Sequence, residues 1–292
     1  MRNTKYRFFV AGLWLSLLGT GITWARPADT KMKPEELIAK HLEAIGIAET
    51  RSSISNRIVA GKVLTEVRGN TTGQANGDIN FASEGHKSLL VMLFDNAQYP
   101  YERLGYDGDK LTAGDLRPGI RSTLANFLLT HDVVFKQGLL GGVLSTAWPL
   151  LDLSMANPKL EMGSQKKIDG RDAYVLQYLP RKGSDLEIRL FFDAGTFRHV
   201  RTTYQRTISA QMGSNPNASA RQRETRYDMT EAFSDFQKEN GLTLPHSYKL
   251  TLMVQGNGGT FINNWTSQLT RFVVNQKIPA DTFNIKPLAA TR

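Results

Sequence analysis

The chain has 292 residues, 40% of them hydrophobic, a formal net charge of +9 and no cysteine. The missing cysteine excludes disulfides, thiol chemistry and a lipid-modified Cys anchor, so stability must come from the core alone. The basic residues are scattered, with only short pairs such as Lys166-Lys167 and Arg181-Lys182, and no cluster of Lys/Arg with stacking aromatics calls for a nucleic-acid partner.

Arg2, Lys5 and Arg7 precede an uncharged run from Phe8 to Ala25, and Thr23-Trp24-Ala25 ends it on a small residue before Arg26-Pro27. That order of charged, apolar and cleavage regions is the order of a secretory signal peptide. Residues 1–25 are therefore expected to be removed on export to the periplasm, leaving a single domain over 26–292 and a net charge lowered by three, from +9 to +6. An uncleaved inner-membrane anchor is the alternative, since 18 uncharged residues come close to the ~20 needed to span a bilayer.

Pro34 to Ile45 reads as an amphipathic helix, with Leu37, Ile38, His41, Leu42 and Ile45 on one face, Glu35 and Glu36 in the first turn and Gly46 as terminator. His41 on that face is expected to be a packed core histidine. Strands follow. Asn56 to Arg68 alternates Val59, Val63 and Val67 against Lys62 and Glu66. Thr72 to Phe81 is more polar. Ser88 to Phe94 is apolar on both faces, as in a strand covered on both sides. Arg103 to Tyr106 is short, and Asp107-Gly108-Asp109 reads as a turn rather than a calcium loop, which needs more oxygen ligands.

Asp115 to Asp152 breaks the β pattern. Ile120, Leu124, Phe127, Leu128 and His131 form one helical stripe, and Leu139, Leu140, Val143, Leu144 and Ala147 a second. Gly138, Gly141 and Gly142 lie between, so the spacing predicts two short apolar helices with a soft joint, ended by Pro149. Strands then resume over Leu160–Ile168, Ala173–Tyr178, Leu186–Phe192, Arg198–Ser209, Arg226–Phe236 (with a bulge), Ser247–Gln255 and Thr266–Asn275. In Arg198–Ser209 the alternation puts Val200, Tyr204 and Ile208 on one face and His199, Arg201, Thr203 and Gln205 on the other. Met212 to Ser219 has the composition of a surface loop.

About ten or eleven strands without strand–helix alternation favour an antiparallel meander. The fold class is mainly β with helices (α+β): a strongly curved antiparallel sheet or incomplete barrel, with the N-terminal helix and the two inserted helices on its concave face. No pair among the five histidines has metal-ligand spacing, no nucleophile elbow or phosphate loop is present, and neither an enzyme nor a cofactor is expected. The concave face is either filled by its own side chains or kept open for an apolar guest. The candidate linings are large and adaptable: Leu90, Met92, Phe94, Tyr174, Leu176, Phe192, Met253 and Trp265 from strands, and Phe127, Leu140, Leu144 and Trp148 from the helical stretch.

Several stretches, in this order, resemble the periplasmic outer-membrane lipoprotein carriers and lipoprotein-sorting proteins. They are Gly77-Asp78-Ile79, Tyr106-Asp107-Gly108-Asp109-Lys110-Leu111, Asp169-Gly170-Arg171-Asp172-Ala173-Tyr174 with Phe192-Asp193-Ala194-Gly195-Thr196, Asn240-Gly241-Leu242-Thr243-Leu244-Pro245, and Ile278-Pro279-Ala280-Asp281-Thr282-Phe283-Asn284-Ile285-Lys286-Pro287. The likeness spans about residues 34–288. It implies an incomplete barrel lidded by helices, a monomer, and binding of lipoprotein or other lipid acyl chains, with envelope membrane proteins as further partners. Ser83-Glu84 stands where the carriers place an Arg-Pro whose Arg ties the lid shut, and Thr112 and Ala113 stand where an aromatic usually follows the turn. A non-transporting interaction or sensor domain, with its cavity collapsed, is the alternative on the same fold.

Overall fold

The computed structural model describes residues 32–286, apart from 71 and 211–222. The expected signal peptide and the loop Met212 to Ser219 lie outside the described residues. Residues Met32–Arg292 form one compact unit.

Thirteen strands make one antiparallel sheet: β1 Asn56–Arg68, β2 Gly73–Glu84, β3 Lys87–Phe94, β4 Tyr101–Tyr106, β5 Leu111–Ala113, β6 Lys159–Met162, β7 Lys166–Ile168, β8 Arg171–Leu179, β9 Glu187–Asp193, β10 His199–Ile208, β11 Thr225–Glu239, β12 Leu242–Gly256 and β13 Gly259–Val274. Their order is β5-β4-β3-β2-β1-β13-β12-β11-β10-β9-β8-β6, with β7 also on β8. The sheet is thus two meanders joined in the middle, where β1 pairs with β13 from Arg57↔Val274 to Arg68↔Ile262. Its edge strands β5 and β6 do not meet, so it stays open rather than closing as a barrel.

The extra strands have local causes. Gly163 and Ser164 interrupt Leu160–Ile168, splitting it into β6 and β7, both paired with β8. The turn after β4 is built by Asp107, whose Oδ1 accepts from the backbone N–H of Asp109 at 3.0 Å and of Lys110 at 2.8 Å. That turn folds Leu111–Ala113 back as β5. The bulge expected in the Arg226 strand is absent: β11 pairs with β12 in one unshifted register from Arg226↔Gln255 to Glu239↔Leu242, past the positive φ of +52° at Asp235.

Two readings of strand faces need correction. Leu93, on the outer face of β3, is 47% exposed, so that strand is covered on one side only. In β10 a register shift between His199 and Arg201 moves His199 onto the same inner face as Thr202 and Tyr204. A bulge puts two residues opposite one, so strict alternation cannot be carried through it.

Helix α1 spans Pro34–Ile45 as expected, with Leu37, Ile38, His41 and Ile45 buried. A second helix, α2, covers Ala48–Ser53. The inserted segment, residues 114–158, differs from its expectation. Its first stripe makes α3, Thr123–Thr130, capped by Ser122, whose Oγ accepts from the Ala125 N–H at 2.9 Å. One further turn, α4, covers Val133–Lys136. The second stripe is not an α-helix. It is a chain of tight turns with a single 3-10 turn at Gly142–Leu144, before a last short helix, α5, at Leu153–Ala156. The glycines decide this: Gly138, Gly141 and Gly142 have φ of +66°, +78° and +49°, outside the right-handed helical region. Leu139, Leu140, Val143, Leu144 and Ala147 are all buried, so their apolarity reflects burial and not helical period.

The inner face of the sheet wraps this segment. A methyl group on Gly141 would lie 3.3 Å from the Phe81 ring on β2, and one on Gly142 would lie 2.8 Å from His199 Nδ1 on β10. Strands β2 and β10 are five places apart in the sheet, roughly 24 Å if it were flat. Two adjacent residues touch both, so the sheet must curl around them. The rings of Phe81 and Tyr248, three strands apart, close to 5.1 Å for the same reason. A separate, smaller cluster of Ala173, Val175 and Phe191 packs elsewhere, with Val200 against it.

Gly142→Ala should lower stability by about 1–3 kcal/mol, because alanine is strained at this φ and its methyl meets His199. Gly183→Ala, at φ +71° but in open space, should cost no more than about 1 kcal/mol. Urea unfolding of the two variants compares them, and equal midpoints would mean that His199 yields to the added methyl.

Candidate functional site

The inserted segment acts as a cover. It contributes no strand to the sheet, since nothing between β5 and β6 joins a ladder. What fastens it, besides apolar packing, is a ring of hydrogen bonds to inward-pointing polar side chains of five strands and α1.

On β1, the buried Arg57 donates from Nη1 to the Val143 carbonyl at 2.5 Å. It makes no ion pair among the described residues, and burial lowers its pKa to about 10. On β2, Ser83 Oγ accepts from the Thr146 N–H at 2.9 Å. On β11, Glu231 accepts from the Gly141 N–H at 2.7 Å, from the Tyr204 hydroxyl at 2.7 Å and from the Tyr248 hydroxyl at 2.9 Å. On β4, Glu102 accepts from the Ser122 hydroxyl at 2.8 Å and from Tyr99 at 2.5 Å. Ser122 is the cap of α3, so Glu102 holds that helix by its N-terminal end. On β10, Arg206 Nη2 lies 2.7 Å from Asp185, and His131 Nδ1, at the end of α3, lies 3.2 Å from the same carboxylate.

The sixth fastening runs through α1. Trp148 Nε1–H donates to His41 Nε2 at 3.2 Å, and His41 Nδ1 lies 3.0 Å from the Phe197 carbonyl. An indole can only donate and a carbonyl can only accept, so His41 is neutral with its proton on Nδ1. Burial agrees, lowering its pKa to about 4. Trp148 also stacks on His199 at 4.7 Å. His199 is fully buried and its pKa is driven well below the ordinary value by burial and by the neighbouring His41.

Glu102 and Glu231 stand apart from the other carboxylates. Burial raises each from 4.5 to about 7, against the opposing pull of their hydrogen bonds. Neither has a cationic partner among the described residues. A carboxylate accepting two or three hydrogen bonds without a counter-ion is costly in a core, and protonation relieves it.

Ten of the twelve residues expected to line the concave face are brought together there. Leu90, Met92, Phe94, Phe127, Leu140, Leu144, Trp148, Leu176, Phe192 and Trp265 are buried in one continuous core. Tyr174 lies at the margin of that core, half-buried, its ring parallel to that of Phe197 at 5.9 Å. Met253 is the exception. It is half-exposed, while its neighbours Leu250 and Leu252 occupy the inner parity of β12. The space left among Phe81, Leu90, Phe135 and Leu140 is about 10 Å³, enough for one water at most. A larger open cleft of about 950 Å³ lies where the cover meets the β2–β3 turn and the β8–β9 loop, with Trp148, Pro149 and Leu151 among its lining. No group of three or more His, Asp or Glu positioned for a metal exists among the described residues. No helix there is long and apolar enough to cross a membrane.

The pH dependence follows from the linkage signs. Both glutamates titrate higher folded than unfolded, so their protons stabilise the fold at low pH, and that stabilisation is lost as pH rises from about 4.5 through about 7. His41 and His199 titrate lower folded than unfolded, so their contributions are present above about 6.5, and that of His41 is lost as pH falls toward about 4 while that of His199 falls in the same direction. These four groups together should give a stability plateau between about pH 4.5 and 6.5, with losses on either side. Glu231→Gln should make the alkaline loss shallower, as read from urea midpoints across pH. An unchanged alkaline slope would mean that Glu231 is already ionised in the fold.

No family model and no curated protein matches the chain. Among solved structures it is similar to a putative outer membrane lipoprotein-sorting protein domain from Vibrio parahaemolyticus, at 10% identity over 85% of this chain and 97% of that one, with a TM-score of 0.41. It is also similar to a LolA superfamily protein from Nitrosomonas europaea, at 11% identity over 87% and 98%, TM-score 0.43. A third is a DUF1329 family protein from Desulfovibrio piger, at 9% identity over 86% and 96%, TM-score 0.38. At those identities and scores, no residue's role passes from one chain to another.

Proposed function

We propose that this protein is an exported, periplasmic, non-enzymatic carrier that binds acyl chains of lipoproteins or other lipids between the concave sheet and its cover. One observation carries the reading: the cover holds no place in the sheet ladder. Lifting it would uncover a wide apolar face while every strand keeps its partners. In such a state the buried Leu90, Met92, Leu176 and Phe192 become the wall against which a chain lies. Each buried CH₂ of a guest contributes roughly 0.8 kcal/mol, so a twelve-carbon chain supplies on the order of 10 kcal/mol toward displacing the cover. The described structure is then the closed form.

A second reading has its own support. The close packing of Phe81 and Leu90 against Phe135 and Leu140 fits an interaction or sensor domain whose cover stays seated and whose curved sheet docks a partner protein. The two differ in whether an apolar guest enters. Native mass spectrometry of the protein recovered from the periplasm, followed by solvent extraction, should find a bound acylated species, and a fluorescent fatty-acid analogue should bind and be displaced by it. A clean unliganded mass with no probe binding would favour the second reading. Ser83→Ala removes one fastening, worth about 1 kcal/mol. It should therefore raise the rate of probe uptake about fivefold in stopped-flow measurements, if opening limits entry.

A further inference from the structure

The open cleft beside Trp148 has a composition that the acyl-chain reading does not by itself require. Its floor is apolar: Trp148, Pro149 and Leu151, contributed by the cover. Its rim is basic. Lys87 and Lys136 face their own partners, Glu84 at 3.7 Å and Asp132 at 2.7 Å. Arg181 and Lys182, on the exposed turn closed by the Gly183 N–H to the Pro180 carbonyl at 3.1 Å, have no ion pair or side-chain hydrogen-bond partner among the described residues. The remaining acid of the cleft, Asp152, is engaged with the Ser154 N–H at 2.9 Å as the cap of α5. The cleft therefore carries four cations against three carboxylates, a net charge of +1 over an apolar floor, and Arg181 and Lys182 are its two cations outside any ion pair among the described residues. Gln137, also in its wall, keeps Oε1 buried with no donor. The volume, about 950 Å³, suits a lipid-sized ligand.

We infer that this cleft is the headgroup end of the apolar site and takes a single-chain anionic amphiphile, its chain starting on the Trp148–Leu151 floor and its anionic head between Arg181 and Lys182. A hydroxyl on the head would supply the donor that Gln137 lacks. The floor belongs to the cover, and Trp148 is the residue that fastens the cover to α1. A chain entering here would therefore meet the seam along which the cover parts from the sheet. The inference rests on the acyl-binding reading and names the class of lipid it would take.

The test is calorimetry on the whole chain at low ionic strength, with myristoyl lysophosphatidylglycerol below its micelle concentration, monomyristoylglycerol and glycerol phosphate. The charged lipid should bind about tenfold more tightly than the uncharged one, a preference that salt weakens. The double substitution Arg181→Glu with Lys182→Glu should abolish that preference and leave monomyristoylglycerol binding unchanged. Both side chains are exposed and make no contacts that the fold uses, so the variant should retain its unfolding midpoint. Gln137→Leu should weaken both glycerol-bearing lipids and leave myristate unaffected. Equal affinity for the charged and uncharged lipids in the unaltered protein would overturn the headgroup assignment while leaving acyl binding intact. Glycerol phosphate binding as tightly as the charged lipid would replace it with a simple phosphate site. If neither lipid binds, the acyl reading falls and this inference falls with it.

Discussion

The turn at Gly141-Gly142 is the point on which the structure closes. One glycine abuts β2 and the next abuts β10, and the first donates its N–H to Glu231 on β11. A methyl would be tight against Phe81 at the first and too close to His199 at the second, and both have a left-handed backbone that alanine adopts only with strain. The sheet curls as far as it does because its two arms meet the same short piece of chain. Removing that piece would leave thirteen strands with no common object to wrap, and an open sheet of this width would have nothing to set its curvature.

Around that turn the fastenings share a logic. Five strands reach the cover with a polar side chain. Glu231 alternates with Met229 and Phe233, Glu102 with Leu104 and Tyr106, and Arg57 with Val59. Arg57, Ser83, Glu231 and Glu102 each answer a backbone or hydroxyl group of the cover, while Arg206 and Asp185 meet the His131 ring. The contacts thus fix where the cover sits, while apolar burial supplies most of the holding energy. Ser83 takes one of these roles on β2, and the buried Arg57 takes another on the neighbouring strand β1.

Much of this architecture was legible in the sequence. The N-terminal helix, the turn at Asp107 and the alternation of Tyr174, Leu176 and Tyr178 all follow from local patterns that tertiary contacts left undisturbed. The second inserted helix was not, because glycine weighs in propensity as a weak helix former, whereas here three glycines adopt φ values that no helix contains. Met253 was misplaced because Leu252 and Met253 are equally apolar, and only the register against β13 separates them. The fastening residues left a trace that alternation could have found: an acid or arginine at the inward parity of an apolar strand. What no local pattern holds is their partner, since Glu231 and Gly141 meet only through the curl of the sheet.

The seam between β1 and β13 has a consequence for how the chain must be made. Arg57 pairs with Val274, so the two ends of the folded unit lie side by side in the middle of the sheet and not at its edges. Each meander can zip up from its own hairpins, but the seam forms only when almost the whole chain is present. Contacts so distant in sequence close slowly, and until they do the cover has one arm of the sheet and not two. The last strand to be synthesised is therefore a central one, and a chain that stops short of it is left with two unpaired inner edges in place of a trimmed margin.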